Sequence, residues 1–351
     1  MKIIGCDFHP SFQQIAVFDT ETGEIIEHKL VNGNGDAERF YRSLPVGSLI
    51  GIEACGNSHW FIDLLGRLGH QVWVGDAAKI RASYVRKQKT DRRDAAHILT
   101  LLLEKRFPKL WTPSRQERDQ RQLLIHRHKL VQIRTRVKNS LQHLALNQGV
   151  QKKQKLWSKE GQKLLVRLPL EGWTAVRRQD CRELLAHLDE RIAKLDRAAE
   201  QAAEAHPQAS LLMQQKGVGP ITALAFALTI GDVNRFQHSK QVASYLGLIP
   251  SEHTSSNKRR LGSITKQGNS FLRMLLVEAA QSVTRFDPQF HKHYVHLCRN
   301  KHKAVAKVAA ARKLAVRLYW VLRTDQNSQN AVHIESSPRG CPWSAQARPI
   351  H

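Results

Sequence analysis

Apolar residues fall in two rhythms along this chain of 351 residues. Over the first 75 they come in short bursts: residues 2–7 (KIIGCD), 13–19 (QQIAVFD), 24–30 (EIIEHKL), 48–53 (SLIGIE) and 71–74 (QVWV). Bursts of this length read as strands. Thr20-Glu21-Thr22-Gly23 is turn-forming and joins the second to the third. Residues 36–44 and 58–68 read as helices, and helix returns near Asp76. A further helix is expected from Asp91 through Leu103.

Three strands, helix, strand, helix, strand, helix is an α/β layout. Its element order is that of the RNase H-like fold, in which the first strand and the later parallel strand lie side by side. Past Trp111-Thr112-Pro113-Ser114 the rhythm turns helical. Residues 115–146 read as one long helix: Leu123, Leu130, Val137 and Leu144 stand seven apart, and Ile133 and Leu141 widen the seam. A second long helix is expected over 179–205, where Leu185, Leu188, Ile192, Leu195, Ala199 and Ala202 alternate three and four apart. Both carry a coiled-coil pattern, packed as an antiparallel hairpin within one chain or paired between chains. Residues 270–284 and 301–322 read as further helices, and 324–351 show no periodicity and read as disordered. The expected architecture is α/β plus all-α. An RNase H-like domain spans 1–110, a basic coiled-coil region 111–208, a helical domain 209–323 and a tail 324–351.

Two of the strand runs end in an acid, Asp7 and Glu53, and the helix after Thr90 opens with Asp91 and Asp94. Positions three apart on a helix share a face. Singly, these acids have ordinary readings: a strand-end turn, a surface carboxylate, an acidic first turn that complements the helix dipole. On matching elements they converge, because open α/β sheets place sites at the C-terminal ends of their strands. Four carboxylates in a partly buried site do not all stay ionised without cations. Two Mg2+ ions about 3.5–4 Å apart would neutralise them, activate a nucleophile and stabilise a leaving oxygen.

Charge points to the substrate. The formal net charge is +25. Residues 1–75 hold 5 Lys/Arg against 9 Asp/Glu, whereas residues 76–155 hold 21 against 6. A polyanion, most simply nucleic acid, is the implied partner. Along the long basic helix Arg127, Arg134 and Lys138 are the candidate contacts. The five cysteines are scattered without a Cys-x-x-Cys pair and read as reduced thiols of a cytoplasmic protein. Met1-Lys2-Ile3 leads straight into a strand rather than a signal peptide. No apolar run approaches the roughly 18 residues that would span a membrane. His126, His128, His291, His293, His296 and His302 lack a zinc spacing and read as surface or phosphate-facing.

Lys216-Gly217-Val218-Gly219-Pro220 precedes an apolar helix. Gly217 and Gly219 let backbone N–H groups approach a phosphate, as in a helix-hairpin-helix element; a purely structural turn is the other reading. Residues 245–269 form a polar loop dense in hydroxyls and cations. Lys258, Arg259, Arg260 and Lys266, with Arg273 in the next helix, are candidate phosphate holders. A hydroxyl among them is a candidate nucleophile toward phosphorus.

These stretches resemble the DEDD transposases of the insertion-sequence family usually called IS-one-ten, with features of its subgroup carrying Glu-Ala-Cys-Gly. The residues that carry the resemblance are Gly5-Cys6-Asp7, Glu53-Ala54-Cys55-Gly56, Lys89-Thr90-Asp91-Arg92-Arg93-Asp94, His126-Arg127, Gly217-Val218-Gly219-Pro220, Gly247-Leu248-Ile249-Pro250 and Gly262-Ser263-Ile264-Thr265-Lys266-Gln267-Gly268-Asn269. The resemblance implies a RuvC-like N-terminal domain, a coiled-coil linker and a C-terminal transposase domain. It implies Mg2+ held by Asp7, Glu53, Asp91 and Asp94, and a loop serine that attacks DNA and holds it as a phosphoserine ester. It also implies a homo-oligomer, dimer or tetramer, and a structured bridge RNA that pairs with donor and target DNA, so that base pairing reads sequence. The family loop carries Gly after its serine, whereas Thr254-Ser255-Ser256-Asn257 has none. Ser255 aligns best with the nucleophile and Ser256 is the alternative. Two other classes compete: a RuvC-type nuclease cutting by metal-activated water, which needs no serine loop, and an inactive nucleic-acid-binding relative, which needs no complete acid set.

Overall fold

The five apolar bursts become the five strands of one sheet in the computed structural model. They are β1 (Lys2–Phe8), β2 (Phe12–Asp19), β3 (Ile25–Val31), β4 (Leu49–Glu53) and β5 (Gln71–Gly75), with α1 (Asp36–Ser43) before β4, α2 (His59–Arg67) before β5, and α3 (Ala77–Ala82) and α4 (Asp91–Leu103) after it. The strands pair in the order β3-β2-β1-β4-β5. β2 is antiparallel to both neighbours, and β1, β4 and β5 run parallel. The structure describes residues 1–84, 90–151, 155–253 and 260–336, with side chains as far as 325. The chain forms two compact units, Met1–Arg115 and Gln116–His351.

Strand alternation sorts the first unit into two faces. Ile4, Cys6 and Phe8 of β1 join Ile50 and Ile52 of β4 against Tyr41 of α1 and Phe61, Leu64 and Leu65 of α2. Gly5 and Gly51 belong to the opposite face, where α4 lies. Gly5 is the register partner of Ala16 on one side and Gly51 on the other. A Cβ on Gly5 would stand 2.3 Å from the Ala95 carbonyl oxygen, and one on Gly51 2.7 Å from Leu102 Cδ1. The row of small residues therefore seats α4 on the sheet backbone, where Ala95, Leu99 and Ala16 pack together. Thr90 caps the helix by accepting from the Arg93 backbone N–H, and Arg92 is ion-paired to Glu27 of β3.

The second unit is almost wholly helical: α5 (Arg115–Asn147), α6 (Lys159–Arg167), α7 (Gly172–Ala205), α8 (Pro207–Met213), α9 (Pro220–Ile230) and α10 (Ser239–Tyr245), then β6 (Pro250–Glu252) and β7 (Leu261–Ile264), then α11 (Ser270–Phe286), α12 (Pro288–Asn300) and α13 (Lys303–Ser336). α5 and α7 run antiparallel within the one chain. Arg127 meets Asp196 at 2.5 Å and Arg134 meets Asp189 at 3.2 Å; Arg177 reaches Ser140 at 2.8 Å. Between them Val137, Leu141 and Leu144 pack against Leu188 and Ile192. Ile133, expected in the seam, is instead 39% exposed. α7 also starts seven residues earlier than expected, at Gly172. Its first turns carry an exposed Trp173 and Val176 and no buried stripe to mark them.

α9 is the hub of the second unit, with every residue from Thr222 to Ile230 buried. Ala203, Leu212, Leu276, Ala280, Leu314 and Leu318 belong to the same core. A buried helix end leaves carbonyls that need donors. Arg121 donates to the Leu228 carbonyl, and Arg235 donates to those of Ile230 (2.8 Å) and Thr229 (3.1 Å).

Two expectations change here. The polar loop over 245–269 contains an antiparallel ribbon, Pro250 opposite Ile264 and Glu252 opposite Leu261. Strands of three and four residues with mostly exposed side chains carry no alternation to read. The segment from Thr324, expected to be disordered, continues α13 to Ser336. An existing helix extends at the cost of one residue per added backbone bond, without needing an apolar stripe. No helix among the described residues is long and apolar enough to cross a membrane.

Candidate metal centre and nucleic-acid interface

The acid site follows from the register of β1 and β4. Cys6 pairs with Ile52 in the last paired row, so Asp7 and Glu53 occupy the next position on each strand. By alternation both fall on the face that carries α4. Gly5, two residues before Asp7, is where α4 touches the sheet, so the first turn of that helix reaches the end of β1. Asp7, Asp91 and a residue not anticipated, His9, each offer one ligand atom, all within 4.8 Å of one another. His9 Nε2 lies 3.1 Å from Asp7 Oδ2 and 3.7 Å from Asp91 Oδ1.

Glu53 and Asp94 stand outside that three-residue group; the charge of Asp94 acts on Asp7, and that of Glu53 acts on Tyr84. Asp94 is buried, and its Oδ1 accepts from the Tyr84 phenol at 2.5 Å. Burial pushes the Asp7 carboxyl above the usual carboxylate range; His9 pulls it back, and Asp94 and Asp91 add to the rise. The Tyr84 phenol is raised by burial first, then by its bond to Asp94 and the charges of Asp94, Asp7 and Glu53. Behind Tyr84, the His97 ring lies 4.1 Å away, and its Nε2 sits 2.8 Å from Ser83 Oγ. Burial lowers the His97 pKa, which favours the neutral ring. Ser83, His97 and Tyr84 thus hold Asp94 in place. A mixed oxygen and nitrogen donor set with a desolvated carboxylate fits a divalent cation.

The missed residues had unequal signals. His9 continues the period-2 series Gly5, Asp7, His9 on one face, so alternation alone could have found it. His97 stands three residues after Asp94 on α4, a spacing that puts the two on one face, whereas nothing in the spacing of Tyr84 joins it to Asp94.

The candidate nucleic-acid contacts are placed unevenly. Arg127 and Arg134 face α7 acids, as above, and the Lys138 ammonium sits 5.0 Å over the Trp157 ring. Gly217 has φ +82°, and a Cβ there would stand 2.7 Å from the Val283 backbone nitrogen. It is therefore required for packing on α11. Gly219 is the N-cap of α9 with open space beside it, free to accept a close-lying group. Arg273 donates to the carbonyls of Gln267 and Leu246, tying together the two halves of the loop. In the same loop a Cβ on Gly268 would stand 2.2 Å from the Tyr245 carbonyl oxygen. Arg260 and Lys266 are exposed. Ser255, Ser256, Lys258 and Arg259 lie outside the described residues.

Comparison with known proteins covers both units. A family model described as a transposase, of the IS110 DEDD type, matches residues 4–148. One described as the transposase IS116/IS110/IS902 family matches residues 209–295. The chain is 29% identical over 294 residues to a "Probable family 20 transposase" of Pseudomonas aeruginosa, covering 80% of this chain and 84% of the relative. It is 28% identical over 295 residues to the transposase for insertion sequence element IS1111A of Coxiella burnetii, with 81% and 78% covered. A pilin gene-inverting protein of Moraxella bovis is 31% identical over 157 residues, 42% of this chain and 48% of that one. The first family match contains the acids at the end of the sheet and the second contains the Gly-rich turn, the ribbon and Arg273, and on that combined evidence the chain belongs to the IS110 family of insertion-sequence transposases.

Proposed function

We propose that this transposase cuts and rejoins DNA strands with a divalent metal, Mg2+ in the first instance, at the Asp7 end of the sheet and Ser255 as nucleophile. The observation that carries the metal half is the approach of the Asp7 and Asp91 carboxylates to one another at the end of β1. Two carboxylates that close, one of them desolvated, are costly unless a cation joins them. Glu53 and Asp94 would complete the set, Asp94 oriented by Tyr84. The strand order with an antiparallel β2 supports an RNase H-like, RuvC-like assignment of this unit. When bound, the metal supplies Lewis-acid stabilisation of charge at the scissile phosphate. The chain's own acids bind and orient it. Ser255 would take the 5′ or 3′ phosphoryl of the cut strand as an ester, and exposed Arg260 and Lys266 would offset phosphate charge.

The partners on this reading are donor DNA, target DNA and a structured bridge RNA, with a homo-oligomer, dimer or tetramer, as the working form. A net charge of +25 suits two nucleic-acid ligands. The test is a recombination assay on donor and target plasmids with the cognate RNA. Asp7→Asn, Glu53→Gln, Asp91→Asn and Asp94→Asn should each lower product at least about 100-fold with the circular dichroism unchanged. Normal product in EDTA, or in two of the four variants, rejects the metal reading.

A further inference from the structure

We infer that His9 is a third ligand of the ion held by Asp7 and Asp91, and that the site therefore takes Mn2+ in preference to Mg2+. The inference rests on the metal reading above and adds a nitrogen donor to it. Around one small divalent ion, with ligands at about 2.1 Å, neighbouring donor atoms stand about 3 Å apart and opposite ones about 4 Å. His9 Nε2 is 3.1 Å from Asp7 Oδ2 and 3.7 Å from Asp91 Oδ1, and all three atoms fall within 4.8 Å of one another. The separations are those of ligands about a common centre.

The backbone that carries His9 is held independently of the acids. The His9 N–H donates to the Phe12 carbonyl at 2.9 Å. Asn32 Nδ2 donates to the carbonyls of His9 (2.9 Å) and Pro10 (3.0 Å). Asn32 Oδ1 in turn accepts from Gln13 Nε2 at 2.9 Å. Gln13 is fully buried, and its Oε1 accepts from the Tyr41 phenol at 3.0 Å. The His9 ring stacks on Phe12, with centroids 4.7 Å apart and planes 22° apart. A polar chain that starts at buried Tyr41 and Gln13 and ends at Asn32, just past β3, thus fixes the turn, and an aromatic face fixes the ring. Support of this kind orients metal ligands. A histidine serving only as a surface counter-charge to two carboxylates would need no such frame.

Imidazole nitrogen distinguishes between cations. Mg2+ prefers oxygen donors and keeps its waters, whereas Mn2+ accepts imidazole readily. His9 should thus raise Mn2+ affinity more than Mg2+ affinity.

The experiment is pulsed electron paramagnetic resonance on the full chain loaded with Mn2+. Wild type should show electron-spin-echo modulation from a directly bound 14N, and labelling the histidines with 15N should convert it to the 15N pattern. His9→Gln should abolish the modulation and weaken Mn2+ binding about 10-fold, while Mg2+ binding changes less. The labelling result does not depend on the variant folding. Mn2+ that binds in an Asp7-dependent way without nitrogen modulation overturns the inference and leaves the metal reading intact. So does modulation that survives in His9→Gln. Mn2+ binding indifferent to Asp7→Asn removes the metal reading and this inference with it.

Discussion

Gly5 of β1 and Gly51 of β4 stand opposite each other in register, and α4 lies directly over both. This packing sets the height of the helix above the sheet and so the reach of Asp91 to Asp7. Gly5→Ala would place a Cβ 2.3 Å from a backbone oxygen of α4, which no side-chain rotation relieves. Overpacking of this kind costs about 1–3 kcal/mol. The variant is expected to melt several degrees lower and to bind metal more weakly. Gly33→Ala, where no atom lies within 4 Å of the new Cβ, is the control and should stay within about 0.5 kcal/mol of wild type. Equal melting temperatures for Gly5→Ala and wild type would show that α4 is not seated as described.

Asp7 trades stability for its place in the proposed metal site. In the folded protein its carboxyl keeps its proton to higher pH than the ordinary aspartate value of 3.8, chiefly because of burial. Its contribution to stability is complete below that value and lost as pH rises through the raised folded value. In metal-free protein at neutral pH, Asp7→Asn should therefore melt no lower than wild type, and the gap should close toward acid. The same variant should lose metal affinity. Melting curves from about pH 3 to 8 in EDTA check the first point; a large drop in Asp7→Asn near neutral pH would show that the His9 interaction outweighs burial.

Much of the first unit was readable because each signal was local. Apolar runs ending in Asp7 and Glu53 mark strand ends, and Asp91 and Asp94 open a helix whose bounds agree with the structure. The relationship that makes them a site is not local. It depends on Ala16, Gly5 and Gly51 forming one row across three strands, which only the register reveals. Alternation carries His9 onto the Gly5–Asp7 face, but the frame that fixes its turn is not local: Asn32, which holds the His9 and Pro10 carbonyls, lies more than twenty residues further along the chain. In the second unit the apolar seams of α5 and α7 were visible, yet the acids that meet Arg127 and Arg134 lie far away in sequence, at Asp196 and Asp189. Basic residues without acidic neighbours in sequence looked like a bare cationic face. The ribbon β6–β7 is too short and too exposed for any periodicity to appear.

Those ion pairs bear on how α5 meets nucleic acid. Reversing Arg127, Arg134 and Lys138 together should weaken binding and flatten its salt dependence, by up to about 0.9 in log–log slope for each phosphate no longer neutralised. Reversal also sets like charges against Asp196 and Asp189, at a cost of up to about 1 kcal/mol for a partly exposed pair. The swap Arg127→Asp with Asp196→Arg separates the two effects, since it keeps both the net charge and the pairing. A slope that stays shallow in the swap assigns Arg127 to phosphate; a slope restored to wild type assigns it to the α5–α7 pairing. An unchanged slope in the triple reversal would remove α5 as a docking surface.

The covalent step separates a transposase that rejoins strands from a nuclease that only cuts. A strand cut by water leaves a free phosphate, and rejoining it then needs an external energy source. A strand transferred to a serine hydroxyl keeps the energy of the broken phosphodiester in the new ester: the O–P bond to serine forms as the O–P bond to the leaving sugar breaks, and the leaving oxygen takes up a proton. Ser255 stands in sequence between the ribbon strands β6 and β7, three to eleven residues from the cations Lys258, Arg259, Arg260 and Lys266. Ser255→Ala should therefore bind RNA and DNA as wild type does, yet give no protein–DNA adduct on a denaturing gel and no recombinant product, a loss of at least about 100-fold. If Ser255→Ala still forms the adduct and Ser256→Ala does not, the nucleophile is Ser256 and the chemistry is unchanged. If both variants cut DNA to free ends at the wild-type rate, hydrolysis at the acid site accounts for all cleavage and the ester plays no part.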